Sequence, residues 1–419
     1  MRRALTAAAT ATALVLSTTA CSLISDAEPV TITWWDTSDA KNEAPAFKAL
    51  VKDFENTHPG IKVTYVNVPF TDAQTRFQTA AAAKKAPDVL RADVGWIPGF
   101  AKAGYLAPLD GTPAEPDDFY FDRKLIRQAT YKEHLYGVPQ TTDTLAFMYN
   151  KNLFTKAGIA DTPVTWDDLK ADMAKIKERT GADGFAFNPQ AYFAMPFLFG
   201  EGTDLVDADY ERITVNSPEA VKGIETLVSV LKAPGARKLD TTDKAYANIM
   251  NAFSNGKVAS IIQGPWETAN LFKGAAFADK ENLGIAKIPG GSFGHGAPLG
   301  GHNLVASSTS SPAQQSASQK FIAFMTSASA QEKIALTNGT LPTRMDAFTA
   351  KVVFRPEIAA FHLVLKDGVP RQPIPEYTAL YAAMEPNLVN ILTGRVTAQQ
   401  GLKKTSDQAL QLLPDYRTS

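Results

Sequence analysis

Residues 30–66 have the sequence VTITWWDTSDAKNEAPAFKALVKDFENTHPGIKVTYV, and the pattern of this stretch decides the fold. The apolar run 30–35 predicts a strand, and the apolar positions within 46–54 recur at the spacing of a helix. Residues 58–60, His-Pro-Gly, end that helix, and the alternation across 61–65 predicts a second strand. A strand, a helix and a strand in succession indicate an α/β fold with a mostly parallel sheet covered by helices.

The same alternation continues along the rest of the chain. Further strands are predicted at 88–92, 145–149 and 257–262. Helices are predicted to start where a Ser or Thr hydroxyl can accept a hydrogen bond from the first turn. The capping residues predicted in this way are Thr165, Ser217, Ser311, Ser329 and Thr397.

Two segments are candidates for connections between separate lobes, and a chain of 419 residues is long enough for two domains. The first is 138–143, which precedes a predicted strand. The second is 289–301, which holds six glycines between Gly290 and Gly301. Glycine-rich backbone absorbs changes in φ and ψ easily, as a hinge must. The alternative is a long flexible surface loop.

Composition excludes several classes of protein. Lys plus Arg total 42 and Asp plus Glu total 43, so the chain lacks the basic excess of a nucleic-acid binder. One cysteine cannot form an internal disulfide, and the five histidines do not stand at HExxH spacing. No phosphate loop, dinucleotide fingerprint or GxSxG motif is present. We therefore expect no metal and no cofactor, and counting alone leaves open a paired-carboxylate glycoside hydrolase.

The first 20 residues have the order of a secretory signal. Arg2 and Arg3 precede an apolar stretch that is too short to span a membrane, and small residues then lead to Cys21. Cys21 stands where a bacterial lipoprotein carries its lipid, although Thr18 replaces the larger aliphatic residue usual at that position. We expect a lipid-anchored protein on the outer face of the cytoplasmic membrane, exported by the general or the twin-arginine route. An ordinary cleaved signal is the alternative.

Tryptophans stand near the ends of predicted strands, where open α/β sheets bind ligands. Trp34 lies beside two acidic residues, Trp96 follows the strand that ends near Asp93, and Trp266 follows a strand in the sequence Gly-Pro-Trp. A flat aromatic face with nearby carboxylates is suited to a sugar ring and its hydroxyls. Trp34 and Trp166 are more typical of core positions, whereas Trp266 favours a cleft.

Five short segments together carry a family resemblance. They are Ala86-Pro-Asp-Val89, Gly104-Tyr-Leu-Ala-Pro-Leu109, Tyr136-Gly-Val-Pro139, Tyr149-Asn-Lys-Asn-Leu-Phe154 and Gly264-Pro-Trp266, followed by Leu341-Pro-Thr-Arg344. In this order the chain resembles the extracellular sugar-binding proteins of ABC importers, and more closely their maltose/maltodextrin-binding branch. The resemblance covers nearly the whole mature chain.

The resemblance implies a periplasmic-binding-protein-like α/β fold: two α/β lobes joined by a multi-stranded hinge, with the ligand in the cleft between them. It implies a monomeric binding protein without catalytic activity, which delivers an oligosaccharide to the membrane subunits of an ABC permease. It also divides the chain into a signal peptide, a lipidated tether, an N-terminal lobe and a C-terminal lobe. Their ranges are 1–20, 21–29, 30–141 with about 298–346, and 142–297 with about 347–419.

The resemblance also implies ligand contacts. Trp266 matches a stacking tryptophan, Tyr192 a stacking tyrosine, and Asp143 an acidic residue near the hinge. The full set of expected contacts is Asp36, Asp39, Arg76, Asp93, Trp96, Asp143, Tyr192, Trp266, Gly301, His302, Arg344 and Tyr381.

Departures from the branch leave glucan length and linkage open. Ala191 stands where the branch often has glutamate, Tyr381 where it has tryptophan, and His302 where some relatives have tryptophan after a glycine pair. Trehalose, a pectic sugar or glycerol phosphate are alternative ligands. A phosphate would favour a basic cluster, and the expected site is acidic and aromatic, which favours neutral sugars.

Overall fold

The computed structural model describes residues 29–117 and 119–418. The predicted signal peptide and Cys21 lie outside the described residues. The strands, in chain order, are β1 Val30–Asp36, β2 Ile61–Asn67, β3 Val89–Asp93, β4 Thr130–Tyr131, β5 His134–Leu135, β6 Val138–Asp143, β7 Ala146–Asn150, β8 Asp183–Ala186, β9 Val206–Asp207, β10 Arg212–Ile213, β11 Val258–Gln263, β12 Leu283–Ala286, β13 Ala297–Ala306, β14 Gly368–Pro370 and β15 Arg417–Thr418.

Helices cover the sheets and fill the connections between strands. They are α1 Ala44–Thr57, α2 Phe70–Ala82, α3 Ile97–Lys102, α4 Arg123–Gln128, α5 Lys151–Lys156, α6 Trp166–Thr180, α7 Ala191–Phe199, α8 Pro218–Lys232, α9 Ala245–Ser254, α10 Thr268–Leu271, α11 Pro312–Met325, α12 Ala328–Asn338, α13 Ala350–Val353, α14 Pro356–Val364, α15 Tyr377–Leu392 and α16 Ala398–Leu412.

Two main sheets organise the molecule. The first has the order β14-β13-β3-β1-β2, with β6 also paired to β13, and the second has the order β12-β7-β11-β8. The expectation of mostly parallel sheets is wrong for the second, because β7 is antiparallel to both β11 and β12. In the first sheet β1 is parallel to β2 and β3, as expected, whereas β13 is antiparallel to β3 and β6.

Separate cores define two lobes. The N-terminal core contains Trp34 and Phe321, and packs α1 to α3 and α11 on the first sheet. The C-terminal cores contain Phe147 and Phe253, and pack helices α5 to α10 and α13 to α16 around the second sheet. This arrangement confirms the expected two-lobe α/β fold; the numerical lobe boundaries given above stay predictions.

Strands β6 and β13 connect the lobes as an antiparallel pair. Val138, at the start of β6, belongs to the N-terminal core, and Leu145, just beyond its end, belongs to the C-terminal core. A third connection runs beside them, since Thr142 N–H donates to the carbonyl of Leu341 at 3.0 Å. These three segments form the hinge, so the expected boundary at 138–143 is a hinge strand.

Most predicted helix starts agree with the structure. Thr165 caps α6 through a capping box with Asp168, and Gly181 ends that helix in the left-handed region. The prediction for Ser329 is wrong: α12 begins at Ala328, and Ser327 caps it by accepting from the N–H of Ala330. Trp34 and Trp166 are buried in the cores, as expected.

Candidate functional site

Asp93 and Trp96 form the N-terminal wall of the cleft, where β3 ends. All five residues of β3 are buried, and the Asp93 carboxylate turns the chain by accepting from the N–H of Gly95 at 2.8 Å. Trp96 follows in this turn and stacks on Phe70, the first residue of α2, with ring centroids 5.2 Å apart. Phe70 is 47% exposed, so this wall presents an aromatic surface.

The hinge brings a carboxylate beside two glycines. Asp143 ends β6 and pairs in register with Gly300 of β13. A Cβ at position 300 would lie 2.3 Å from Oδ1 of Asp143 and 3.0 Å from the hydroxyl of Tyr192, so only glycine fits there. Gly301 has a φ of 129° and lies against the carbonyl of Thr141, which also requires glycine.

Two tyrosines and an arginine form the C-terminal wall. Tyr192 on α7 and Tyr381 on α15 meet edge to face, with centroids 6.3 Å apart. The guanidinium of Arg371, just beyond β14, lies 5.4 Å from the centroid of the Tyr192 ring. All three side chains therefore face the same space as Asp143.

A buried ion pair joins the two walls. Nη1 of Arg371 lies 2.6 Å from Oδ1 of Asp93, and Nη2 lies 3.4 Å from Oδ2; each side chain is only 10% exposed. Nearby, the Thr378 hydroxyl donates to the carbonyl of Gly95 at 3.0 Å. The lobes are therefore in direct contact at the inner end of the cleft.

Burial controls the protonation of the cleft residues. It raises the pKa of the Asp143 carboxyl to about 7; Arg371 opposes this rise, and Asp93 adds to it. Burial also lowers the pKa of His302 well below its ordinary value, and the cations Arg91 and Arg371 act in the same direction. His302 is therefore neutral at pH 7, and the cleft presents weakly charged hydrogen-bonding groups.

Three polar atoms of the cleft residues lack a hydrogen-bond partner within the described part of the chain. They are the hydroxyl of Tyr381, Nε2 of His302 and Nε of Arg371, and all three are buried. Buried polar atoms are nearly always paired in folded proteins. Their position beside Asp143 and Tyr192 is what a site that receives hydroxyl groups requires.

Trp266 stands nearer the mouth of the cleft. It lies in the turn between β11 and α10, half-buried, with its ring against the backbone of Gly264. Its Nε1 donates to the hydroxyl of Tyr246 at 2.9 Å, and that hydroxyl donates to Oε1 of Glu267 at 2.7 Å. These bonds hold the ring in one orientation.

Residues 40–332 match the family of bacterial extracellular solute-binding proteins. The chain belongs to this family. Among solved structures, the GacH receptor of Streptomyces glaucescens, solved unliganded and with acarbose, is 37% identical and superposes with a TM-score of 0.88, covering 93% of this chain and 99% of that one. Maltose-bound MalE3 of T. maritima is 26% identical with a TM-score of 0.83, covering 92% and 100%. A putative binding protein of Brucella abortus is 27% identical over 379 residues, covering 88% of this chain and 90% of its own length. These similarities confirm the maltose-type branch.

The structure of this solute-binding protein brings together part of the expected site. One group contains Asp93, Trp96, Asp143, Tyr192, Gly301, His302 and Tyr381. Trp266 adjoins it through the C-terminal lobe, because Tyr246 packs on Phe193, whose ring meets that of Tyr192.

Four expected contacts lie outside this group. The Asp36 carboxylate is fully buried and accepts from Ser38 and Tyr65. Arg344 forms a two-bond ion pair with Asp346, 2.6 and 2.7 Å, beside the hinge.

The other two are exposed on the N-terminal lobe. Arg76 lies over the ring of Trp35, at 5.4 Å from its centroid. Asp39 caps a loop by accepting from the N–H groups of Lys41 and Asn42. Burial raises the pKa of the Glu267 carboxyl, and the charge of Asp39 across the cleft adds to this rise. Asp39 thus lies at the mouth of the cleft. Among the described residues, no contact connects Arg76 or Arg344 with the cleft.

Sequence reasoning missed Phe70 and Arg371. Phe70 follows Pro69 at the start of a helix, where an apolar residue is normally assigned to the core. Arg371 lies 278 residues beyond its partner Asp93, so only the fold shows the pairing. The one signal in the sequence was Phe70 itself, an aromatic residue at a helix start to which the family resemblance gives no role.

Within the described ranges, no helix is both long and apolar enough to cross a membrane. No cluster of three or more His, Cys, Asp or Glu side chains among those residues is arranged to hold a metal ion.

Proposed function

We propose that this solute-binding protein binds maltose or a maltodextrin between its lobes and delivers it to an ABC importer. The observation that carries the proposal is the cleft group itself: aromatic rings from both lobes lie in it with the Asp143 carboxyl, beside three buried polar atoms that have no hydrogen-bond partner among the described residues.

Each part of the group has a role in sugar binding. Aromatic faces cover the apolar C–H faces of a pyranose ring, and Asp143 accepts hydrogen bonds from its hydroxyls. Asp93 and Arg371 already neutralise each other, so this arginine is not free to pair with a phosphate. A neutral sugar therefore suits the cleft better than glycerol phosphate.

The relatives support an α-glucosidic ligand. GacH was solved with acarbose and MalE3 with maltose, and both superpose over more than nine-tenths of this chain. Trehalose or another neutral disaccharide is the alternative, because Tyr381 and His302 replace larger side chains of the maltose branch.

We infer that the protein acts by binding and not by catalysis. A glycoside hydrolase needs a free acid and a second carboxylate across the bond, and here Asp93 is held by Arg371. Incubation with maltodextrin, followed by chromatography of the sugar, is expected to return it intact.

A thermal-shift panel tests the ligand. Because a ligand that binds only the folded protein raises its melting temperature, maltose, maltotriose and maltotetraose should each raise it, with galactose as the control. A rise in melting temperature with trehalose alone would identify trehalose as the ligand in place of maltose. No rise with any neutral sugar would refute the proposal.

We also propose that residues 1–20 are cleaved and that lipidated Cys21 ties a monomer to the outer face of the membrane. The expected lobe ranges, 30–141 with about 298–346 and 142–297 with about 347–419, belong to this proposal. Cys21→Ser should move the protein from the membrane fraction to the medium. Its retention in the membrane would contradict the anchor.

A further inference from the structure

The hinge strand β6 contains a β-bulge at Gln140. The residues on either side of it, Pro139 and Thr141, pair with the adjacent residues 302–303 of β13, so Gln140 is an extra residue in the ladder. A bulge bends its strand and changes the direction of the side chains near it. Asp143 ends the same strand, so the bulge helps to determine where its carboxyl lies.

A buried arginine of the N-terminal lobe is bonded to this bulge. Arg91 lies in the middle of β3 and is only 1% exposed, and its guanidinium is 5.0 Å from the centroid of the Phe47 ring. Its Nε donates to Oε1 of Gln140 at 3.1 Å, and its Nη2 donates to Oγ1 of Thr141 at 3.3 Å. Arg91 therefore binds both the bulged residue and the residue after it.

Two further buried side chains bind the backbone at the bulge. The carbonyl of Pro139 accepts from the hydroxyl of Thr343 at 2.7 Å and from Nε2 of Gln331 at 3.3 Å. Oε1 of Gln331 in turn accepts from the N–H of Thr343 at 2.7 Å. Thr343 follows Leu341 in the third connection between the lobes. The bulge is therefore bonded to the N-terminal sheet and to this connection at the same time.

Arg91 is a buried cation whose hydrogen-bond partners are neutral, and its Nη1 has no partner among the described residues. A buried charge without an opposite charge in contact is costly, so Arg91 is not a typical core residue. Its charge acts on carboxyls further away. Burial raises the pKa of Asp143 to about 7, and Arg91 opposes this rise, second to Arg371 among the cations. Burial also raises the pKa of Glu43, and Arg91 again opposes the rise.

We propose that Arg91 is a positioning residue for Asp143: it fixes the bulged hinge strand so that the carboxyl lies in the cleft, and its charge favours the ionised form that accepts from a ligand hydroxyl. This inference rests on the proposed function and deepens it, because it assigns part of the binding strength to a residue outside the cleft group. The charged and titratable groups around Asp143 are Arg91, Arg371, Asp93, Glu43, Tyr192 and His302. Of the two cations in this set, Arg371 is paired with Asp93.

Calorimetry with maltose between about pH 6 and pH 9 tests the effect of the charge. In Arg91→Met the midpoint of the rise in affinity should move up by about one pH unit, because a nearby opposite charge is lost. This move alone should weaken binding about fivefold at pH 7, since a smaller fraction of Asp143 is ionised. Arg91→Lys keeps the charge, so it should restore the midpoint of the unmodified protein.

Gln140→Met tests the hydrogen bonds without changing any charge. It removes the acceptor of the Arg91 Nε, so Asp143 should occupy its binding position for less of the time. The affinity should fall about fivefold at every pH, with the midpoint unchanged. Where Arg91→Met does not fold, this variant decides: a uniform loss of affinity supports the positioning role, and an unchanged affinity at every pH would overturn it.

Arg179→Met is the matched control for the loss of an arginine. Arg179 lies in the last turn of α6, and its Nη1 donates to the carbonyl of Ala157 at 2.7 Å within the C-terminal lobe. This variant should keep both the affinity and the midpoint. Thermal unfolding without ligand shows which variants still fold cooperatively.

A titration without ligand separates this inference from the proposed function. The carbon-13 NMR signal of the Asp143 carboxyl, assigned by its loss in Asp143→Asn, gives the midpoint of ionisation in the absence of sugar. A higher midpoint in Arg91→Met, but not in Arg91→Lys or Arg179→Met, supports the inference. The same midpoint in Arg91→Met and in the unmodified protein would overturn it, whether or not maltose binds. No binding of maltose together with the higher midpoint would overturn the proposed function and leave the link between Arg91 and Asp143 in place.

Discussion

The ion pair between Arg371 and Asp93 is the interlobe contact whose removal has the most definite consequence. Arg371→Met keeps much of the length of the side chain and removes its charge. The Asp93 carboxylate, 10% exposed beside Arg371, then stays buried in the closed arrangement, and the N–H of Gly95 is its remaining partner among the described residues. When the lobes separate, water reaches the same carboxylate, so the penalty applies to the closed arrangement alone.

The size of the effect follows from this burial. Removing one partner of a buried ion pair costs about 3–5 kcal/mol. If the full cost falls on closure, the closed population and the apparent affinity both fall by about 100-fold or more. The loss of the Arg371 contact with the Tyr192 ring acts in the same direction.

Calorimetry with maltotriose measures the change. Asp93→Asn combined with Arg371→Met removes the unpaired charge, and it should recover a large part of the lost affinity. Lys102→Met is the matched control, because Lys102 pairs with Glu376 across the lobes at 2.7 Å but is 57% exposed. It should change affinity far less. An unchanged affinity in Arg371→Met, or a double variant no better than the single one, would refute the reasoning.

Four further predictions concern the cleft. Trp266→Ala should weaken maltose binding about tenfold, since a stacked ring contributes on the order of 1 kcal/mol beyond its burial; unchanged affinity by calorimetry would exclude stacking. Because the pKa of Asp143 is about 7, sugar affinity should rise between about pH 6 and pH 8 as the carboxylate forms, and Asp143→Asn should remove this dependence. The same raised pKa means that the proton on Asp143 stabilises the folded protein. The free energy of unfolding without ligand should therefore fall between about pH 4 and pH 7, and it should fall measurably less in Asp143→Asn. Gly300→Ala should abolish binding in the thermal-shift assay, because its Cβ would meet Asp143 at 2.3 Å; a normal shift would show that the cleft can adjust.

Local signals predicted the elements well because their causes are local. Thr165 and Gly181 mark the ends of α6 through bonds made within a few residues of each helix end. The prediction that Ser329 caps α12 was wrong because Ser327, two residues earlier, also has a hydroxyl. The buried side chains of Ala330 and Ile334 favour the earlier start.

Strand pairing and site assembly depend on distant residues. β7 pairs with β11 and β12, which follow it at long separation, so the antiparallel direction of the second sheet was not visible in the sequence. The site shows the same limit: motifs indicated Trp96, Asp143 and Trp266, whereas the pairing of Arg371 with Asp93 requires the fold. Arg344 matched a family segment, but Asp346 holds its guanidinium beside the hinge.

The crystal structure of the mature chain with maltotetraose is the most direct test of the central claim. The account predicts one oligosaccharide between the lobes, with a hydroxyl bonded to Asp143, one ring on Trp266 and contacts to Trp96 from the other lobe. A sugar bound to a single lobe, or outside the cleft, would contradict it.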